Sequence, residues 1–261
     1  MTVASVGHQC PECVAEGRRN QRTALTHFGG SAVGMQGYVT KALIAVNTAV
    51  FLLGLFFARN LMATFTQLHE WGAVIGPSFI QDDRGQTFML SSPGVDDGGY
   101  YRLFTAMFLH YGWIHLVLNM YALYVLGRAL EAALGPIRFL ALYLLCGFGG
   151  NVAVYVFQPN SFAAGASTAI YGLFAAYFLI LRRLGRDASS VIPIIVINIV
   201  LTFTIQGISI AGHLGGLVTG AVAGAGLAYA PRQNRTLIQA LVLGGTFLVL
   251  VGITAYLSLT N

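Results

Sequence analysis

Charge is what this sequence has least of. Only 14 of its 261 residues are Lys or Arg and 9 are Asp or Glu, 9% of the chain together, where a soluble domain carries about 25%. So small a set cannot clothe a water-facing surface, and a soluble globule is excluded. Cysteine is nearly as scarce: Cys10, Cys13 and Cys146 cannot build a disulfide framework, and Cys146, inside an apolar run, reads as a packing residue. A basic patch is also missing. The formal charge is +5, but the basic residues are scattered between apolar runs, which argues against a nucleic-acid partner and makes their placement a report of membrane orientation. No repeat relates the two halves, as it does in many transporters.

What fills the chain is apolar: 56% of residues are hydrophobic and the mean hydropathy is +0.71. The expectation is an all-α, polytopic membrane protein embedded in a lipid bilayer. Runs long enough for a bilayer, each needing about 20 residues to cross roughly 30 Å, fall near 38–58, 104–126, 137–157, 168–182, 190–207, 212–230 and 237–259. The first begins at Tyr38 behind a polar head and is too long for the apolar core of a cleaved signal, about 7–15 residues. The organisation expected is a head over 1–37, a six-span core over 38–230 with a long connection over 59–103, and an additional C-terminal span within 231–261. That connection carries Trp71, Pro77 and the acidic pairs Asp82-Asp83 and Asp96-Asp97, and loops of such length are usually functional.

Orientation follows from the basic residues. Arg18, Arg19, Arg22 and Lys41, then Arg128 and Arg138, then Arg182, Arg183 and Arg186, then Arg232 and Arg235 fall on one side of a seven-span frame; Arg59, Arg84 and Arg102 fall on the other. The positive-inside rule makes the first side cytoplasmic, so the N-terminus is inside and the C-terminus outside.

On this frame one serine has a candidate base. Ser167, in Gly165-Ala166-Ser167-Thr168, lies near the outer end of span four, and His213, in Gly212-His213-Leu214, near the outer end of span six. A serine is a poor nucleophile until a neighbouring base takes its proton, and these two meet at one depth. Gly216, Gly220 and Gly224 share a helix face with His213, and such small residues let membrane helices approach closely. His115 and Asn119, four apart on span two, present two polar groups on one face. They read either as an oxyanion hole or as an interhelical hydrogen bond. No acid lies inside a span, and Glu131 and Asp187 fall on the cytoplasmic side, so a dyad is simpler than a triad. Tyr171, one turn after Ser167, is then the candidate to orient the imidazole.

In the head, Cys10-Pro11-Glu12-Cys13 with His8 nearby reads as half of a zinc site or as a flexible head. A closed structural site needs four ligands, and nothing in the spacing favours His27 as another.

Taken together, Tyr101-Arg102-Leu103-Phe104 through His110, His115-x-x-x-Asn119, Gly165-Ala166-Ser167-Thr168 and Gly212-His213 with its following glycines resemble, in order, the motifs of the rhomboid intramembrane serine proteases, over roughly residues 68–230. The resemblance implies a rhomboid-like helical bundle of six core transmembrane helices, with the seventh as an addition. It implies Ser167 as nucleophile, His213 as general base and then acid, and an oxyanion hole from the Ser167 backbone N–H with His115 and Asn119. Tyr171 matches the position that packs on the histidine and Gly165 the small residue that leaves room for substrate; Arg102 and Glu131 match structural positions, and His110 a polar position near the site. Tyr101 stands where the family commonly has Trp. The Cys10/Cys13 head resembles the tail of a zinc-binding module seen ahead of some bacterial members.

The reading is therefore a serine endopeptidase of the cell's inner membrane. It needs no cofactor for catalysis, acts on transmembrane protein substrates and opens its site to the outer side. The rival reading is a catalytically silent rhomboid-like protein that binds membrane clients; such proteins typically lack the serine or the histidine, and both are present here.

Overall fold

The computed structural model describes residues 2–3, 7–20, 24–32, 36–81, 86–189, 191–204 and 209–260; Arg22, Asp82, Asp83 and Arg84 lie outside them. The described residues are mostly helical. A short helix α1 (Pro11–Asn20) follows the two-residue strands β1 (Thr2–Val3) and β2 (His8–Gln9) in the head. The bundle is made of α2 (Tyr38–Ala58), α5 (Gly112–Leu134), α6 (Pro136–Phe157), α7 (Ser167–Arg183), α8 (Val191–Thr204), α9 (Ile210–Tyr229) and α10 (Arg235–Thr260). Between α2 and α5 run α3 (Gln67–Gly72), the antiparallel hairpin of β3 (Phe79–Gln81) and β4 (Thr87–Met89), and the single turn α4 (Arg102–Thr105).

Among the described residues, α2, α5, α6, α9 and the stretch 232–260 that contains α10 are long and apolar enough to cross a membrane. The shorter α7 and α8 complete a polytopic helical membrane fold. Side chains such as Phe56, Ile197, Phe203, Leu248 and Tyr256 are exposed on its outside, where lipid replaces water as the solvent.

One boundary differs from the sequence expectation. The second span begins at Gly112, not near 104, and runs to Leu134. Residues 102–108 form α4 and a turn of 3-10 helix, Leu109 is extended, and Gly112 has φ 82°, a left-handed backbone that side chains other than glycine's rarely tolerate. The apolar run from Leu103 to Leu109 is continuous in hydropathy with α5, so hydropathy alone places the start too early. Leu103, Ala106 and Met107 are buried: this connection is packed into the bundle's flank.

The shift also puts Glu131 inside the last full turn of α5. Its carboxylate accepts the N–H groups of Val39 and Thr40 at 2.9 and 2.8 Å and the Thr40 hydroxyl at 2.7 Å. It thereby caps the first turn of α2, whose leading N–H groups have no intrahelical acceptor. Arg102, fully buried, donates to the carbonyls of Pro93, Ala73 and Ser92 and to the Ser92 hydroxyl. It ties the long connection onto itself without a carboxylate. Burial lowers its pKa, against the opposing charge of Glu70, though a guanidinium remains charged at any ordinary pH.

At the centre of the bundle α9 lies against both α6 and α7. A Cβ added to Gly216 would stand 1.9 Å from the Thr168 carbonyl oxygen, and one on Gly220 2.1 Å from that of Gly172. Against α6, one on Gly215 would stand 2.3 Å from the Ala153 Cβ. Glycine is therefore what lets these three helices touch backbone to backbone. By contrast α10 is peripheral: of its residues only Gln239 and Thr254 are buried, and the Gln239 amide holds it to Arg138 of α6 and to the Leu227 carbonyl of α9.

Candidate active site

Ser167 is the first residue of α7, and the connection 158–166 that delivers it is pinned throughout. Gly76 N–H donates to the Pro159 carbonyl, Val74 and Ala163 pair as an antiparallel bridge, the Tyr111 hydroxyl donates to the Phe162 carbonyl, and Gly165 N–H donates to the Ala106 carbonyl at 2.9 Å. Gly165 has φ 142°, so glycine is required on conformational grounds. A Cβ there would also lie 2.8 Å from His115 Cε1 and 3.3 Å from Ser167 Oγ. The space in front of Gly165 thus touches the serine and the His115 ring together.

His213 comes from the first turn of α9, whose start is fixed by the Ser209 hydroxyl: it accepts the Gly212 N–H at 3.1 Å and donates to Gln158 at 2.6 Å. From there His213 Nε2 lies 2.8 Å from Ser167 Oγ. The Tyr171 ring stacks on the imidazole with centroids 3.9 Å apart and planes 18° from parallel. The other imidazole nitrogen, Nδ1, lies 2.8 Å from the hydroxyl of Thr202 on α8.

Across the cavity, His115 Nδ1 accepts the Tyr111 N–H at 3.2 Å. A neutral imidazole that accepts at Nδ1 carries its proton on Nε2, so the nitrogen nearest Gly165 is a donor. The Asn119 amide donates to the His115 carbonyl at 2.8 Å, which leaves its second N–H. Both side chains line the same cavity as Ser167 and His213. Ser167 N–H opens α7, where the leading N–H groups lack intrahelical acceptors and the helix dipole is positive.

The cavity measures about 880 Å³ and continues between α5, α7 and α8 along Leu118, Val125, Phe174, Val191 and Ile194. Among the described residues no carboxylate lines it. The 17-residue α7 is about 26 Å long at about 1.5 Å per residue, shorter than the roughly 30 Å of a bilayer's hydrocarbon core. With Arg182 and Arg183 in its last turn, the shortfall lies at the Ser167 end. Close by in the connection, burial pushes the His69 imidazole down to about 4; this fits a ring that accepts the Thr66 N–H at Nδ1. His110 is buried with no partner for either ring nitrogen among the described residues; its ring centroid is 5.2 Å from that of His115.

The fold thus brings together Ser167, His213, Tyr171, Gly165, His115 and Asn119, all singled out in the sequence, and adds Thr202 and Asn198, which were not. The signal was available: Asn198 and Thr202 stand four apart on an otherwise apolar helix, the same pattern that marks His115 and Asn119. Tyr171 contacts the imidazole by its ring, while its hydroxyl reaches the Asn198 carbonyl and Thr202. In the head, the Cys10 and Cys13 sulfurs lie 2.6 Å apart. Among the described residues no group of three or more His, Cys, Asp or Glu could hold a metal; the placement of the His8 ring is outside what is described.

The fold thus defines a helical membrane bundle with a serine hydrogen-bonded to a histidine beside a cavity that His115 and Asn119 also line. The family model for the Rhomboid domain matches residues 97–230, and the chain belongs to that family. It is 37% identical over 159 residues to the "Rhomboid protease GluP" of Bacillus subtilis, covering 57% of this chain and 31% of that protein. It is also 37% identical over 127 residues to the "RHOMBOID-like protein 6, mitochondrial" of Arabidopsis thaliana, 46% of this chain and 41% of that one. To the "Rhomboid-like protease 1" of Toxoplasma gondii it is 31% identical over 138 residues, 49% and 47%. The chain therefore spans between about a third and a half of these relatives' lengths.

Proposed function

We propose that this protein is an intramembrane serine endopeptidase that hydrolyses peptide bonds in or near the transmembrane segments of other membrane proteins. The observation that carries the reading is the 2.8 Å contact of His213 Nε2 with Ser167 Oγ at the head of a largely apolar cavity, in a family where the Bacillus subtilis and Toxoplasma gondii relatives are named as proteases. In this mechanism His213 Nε2 takes the Ser167 proton as Oγ attacks the scissile carbonyl. The tetrahedral oxyanion is held by the Ser167 N–H, His115 Nε2–H and the second Asn119 N–H. The imidazolium then gives its proton to the departing amine, leaving an acyl-serine. A water, deprotonated by His213, hydrolyses that ester and restores Ser167. Local unwinding of the substrate helix should help, because a helical backbone has its carbonyls engaged.

The oxyanion roles predict a specific pattern. His115→Ala and Asn119→Ala should each lower kcat by about 10²–10³-fold, as losing one oxyanion donor does, while the rate of serine labelling by an activated fluorophosphonate falls less. Unchanged kcat in both variants would remove them from the mechanism.

In our reading the protein is a multi-pass protein of the inner membrane. The head 1–37 is cytoplasmic, 38–230 is the protease core, 231–261 carries the additional helix, and the site opens to the external side. The basic residues at the opposite end of the bundle from Ser167 support this orientation. Zinc at the head would need ligands beyond Cys10 and Cys13. Metal analysis of the purified protein beside Cys10→Ser should show a metal content that the variant loses; equal, negligible zinc in both removes the zinc reading.

A further inference from the structure

We infer that Thr202 is a positioning residue that fixes the tautomer of His213, so that α8 completes the catalytic pair with a hydroxyl where a serine triad would use a carboxylate. The inference rests on the Ser–His reading and deepens it.

A neutral imidazole can accept the Ser167 proton at Nε2 only if its own proton sits on Nδ1. Nothing in the contact with Ser167 selects that tautomer. A partner that accepts from Nδ1 does, as the buried aspartate does in the serine triad.

The hydrogen-bond directions on α8 supply this acceptor. Thr202 Oγ1 lies 2.8 Å from the carbonyl of Asn198, one turn earlier. A hydroxyl has one proton, and giving it to Asn198 turns both Thr202 lone pairs outward. One of them faces His213 Nδ1 at 2.8 Å, while the Tyr171 hydroxyl, 2.6 Å from both Thr202 and the Asn198 carbonyl, has one proton to share between them. Thr202 is 3% exposed, so water competes little for these positions. The Tyr171 hydroxyl also reaches the Asn198 carbonyl, at 2.6 Å, which sets the ring that stacks on the imidazole. Ser167 and Tyr171 on α7 with Asn198 and Thr202 on α8 thus fix the plane, the position and the protonated nitrogen of one ring on α9. No carboxylate is involved, and a neutral acceptor holds the imidazolium less strongly than an aspartate would.

The test uses the full-length protein in detergent, as wild type, Thr202→Val and Thr202→Ser, with a single-span membrane substrate for kinetics. Valine keeps the shape and removes the acceptor; serine keeps the acceptor. Thr202→Val should lower kcat by about 10–100-fold, the range found when a partner that orients a functional histidine is lost, with KM unchanged. Thr202→Ser should return to within a few-fold of wild type. In ¹⁵N-histidine spectra, with the His213 signals identified by their loss in His213→Ala, wild type should show the Nδ1–H form and Thr202→Val a mixture. Wild-type kcat in Thr202→Val, or an unchanged Nδ1–H signal there, would overturn the inference, as would a Thr202→Ser enzyme no better than the valine variant. If Thr202→Val does not fold, Thr202→Ala is read by the same criteria. The spectra report on the imidazole whether or not any substrate is cut. A wild type that neither cuts nor takes a fluorophosphonate at Ser167 defeats the protease reading instead, and is told apart by that labelling.

Discussion

Ser167→Ala removes proteolysis of a single-span membrane substrate to the limit of detection, and His213→Ala does the same. Each loses about 10⁴-fold or more, because nucleophile and base act as one unit and either loss leaves only binding and the oxyanion donors. The proteins themselves should remain folded. Ser167 and His213 share a single hydrogen bond at the head of their helices, while the contacts that hold α7 to α9 lie further along. Melting temperatures within a few degrees of wild type, together with lost fluorophosphonate labelling in both variants, are the expected record. A Ser167→Ala variant that still cuts would assign the nucleophile elsewhere. A wild type that folds, binds membrane clients and never labels would favour the silent client-binder over the enzyme.

The second large effect is expected from a single methyl group that touches no reacting atom itself, one turn beyond His213 and against the residue after Ser167. Gly216→Ala places a Cβ 1.9 Å from the Thr168 carbonyl oxygen, and the contact is backbone against backbone, so no side chain can rotate out of the way. The helices must separate by an ångström or more. Overpacking of this kind costs roughly 1–3 kcal/mol, and displacing a catalytic base by about 1 Å can cost about 10²-fold in rate. Stability and kcat should therefore fall together. The control is Gly244→Ala on α10, where an added Cβ meets nothing within 4 Å; it should leave both unchanged. A Gly216→Ala enzyme with normal kcat and a normal melting temperature would contradict the packing described for α7 and α9.

Much of this was legible in the sequence because membrane segments announce themselves twice. Scarce charge and long apolar runs mark the helices, and a polar residue inside such a run stands out against its neighbours. Ser167, His213, His115 and Asn119 were visible for that reason, and the glycines at 216 and 220 because their spacing matches a helix face. Two things were not. The start of α5 was hidden by the apolar stretch 103–109, whose hydropathy is the same whether it spans or folds back; only Gly112 breaks it. Thr202 was hidden by its chemistry, since a threonine can satisfy its hydroxyl on its own helix and membrane helices tolerate it as a neutral filler. Its spacing from Asn198 marks a polar face on α8, but that His213 is what approaches this face is a tertiary fact.

The backbone contacts along α6, α7 and α9 have a consequence for how the molecule comes apart. Local opening starts where packing is sparse, and here that is α8 and α10, whose outward faces have little to lose by detaching. The three glycine-seamed helices can separate only together, since each is wedged against the others' main chain. Ser167 and His213 are mounted on two of them. Amide protons near Ser167 and His213 are therefore expected to exchange more slowly than those of α10.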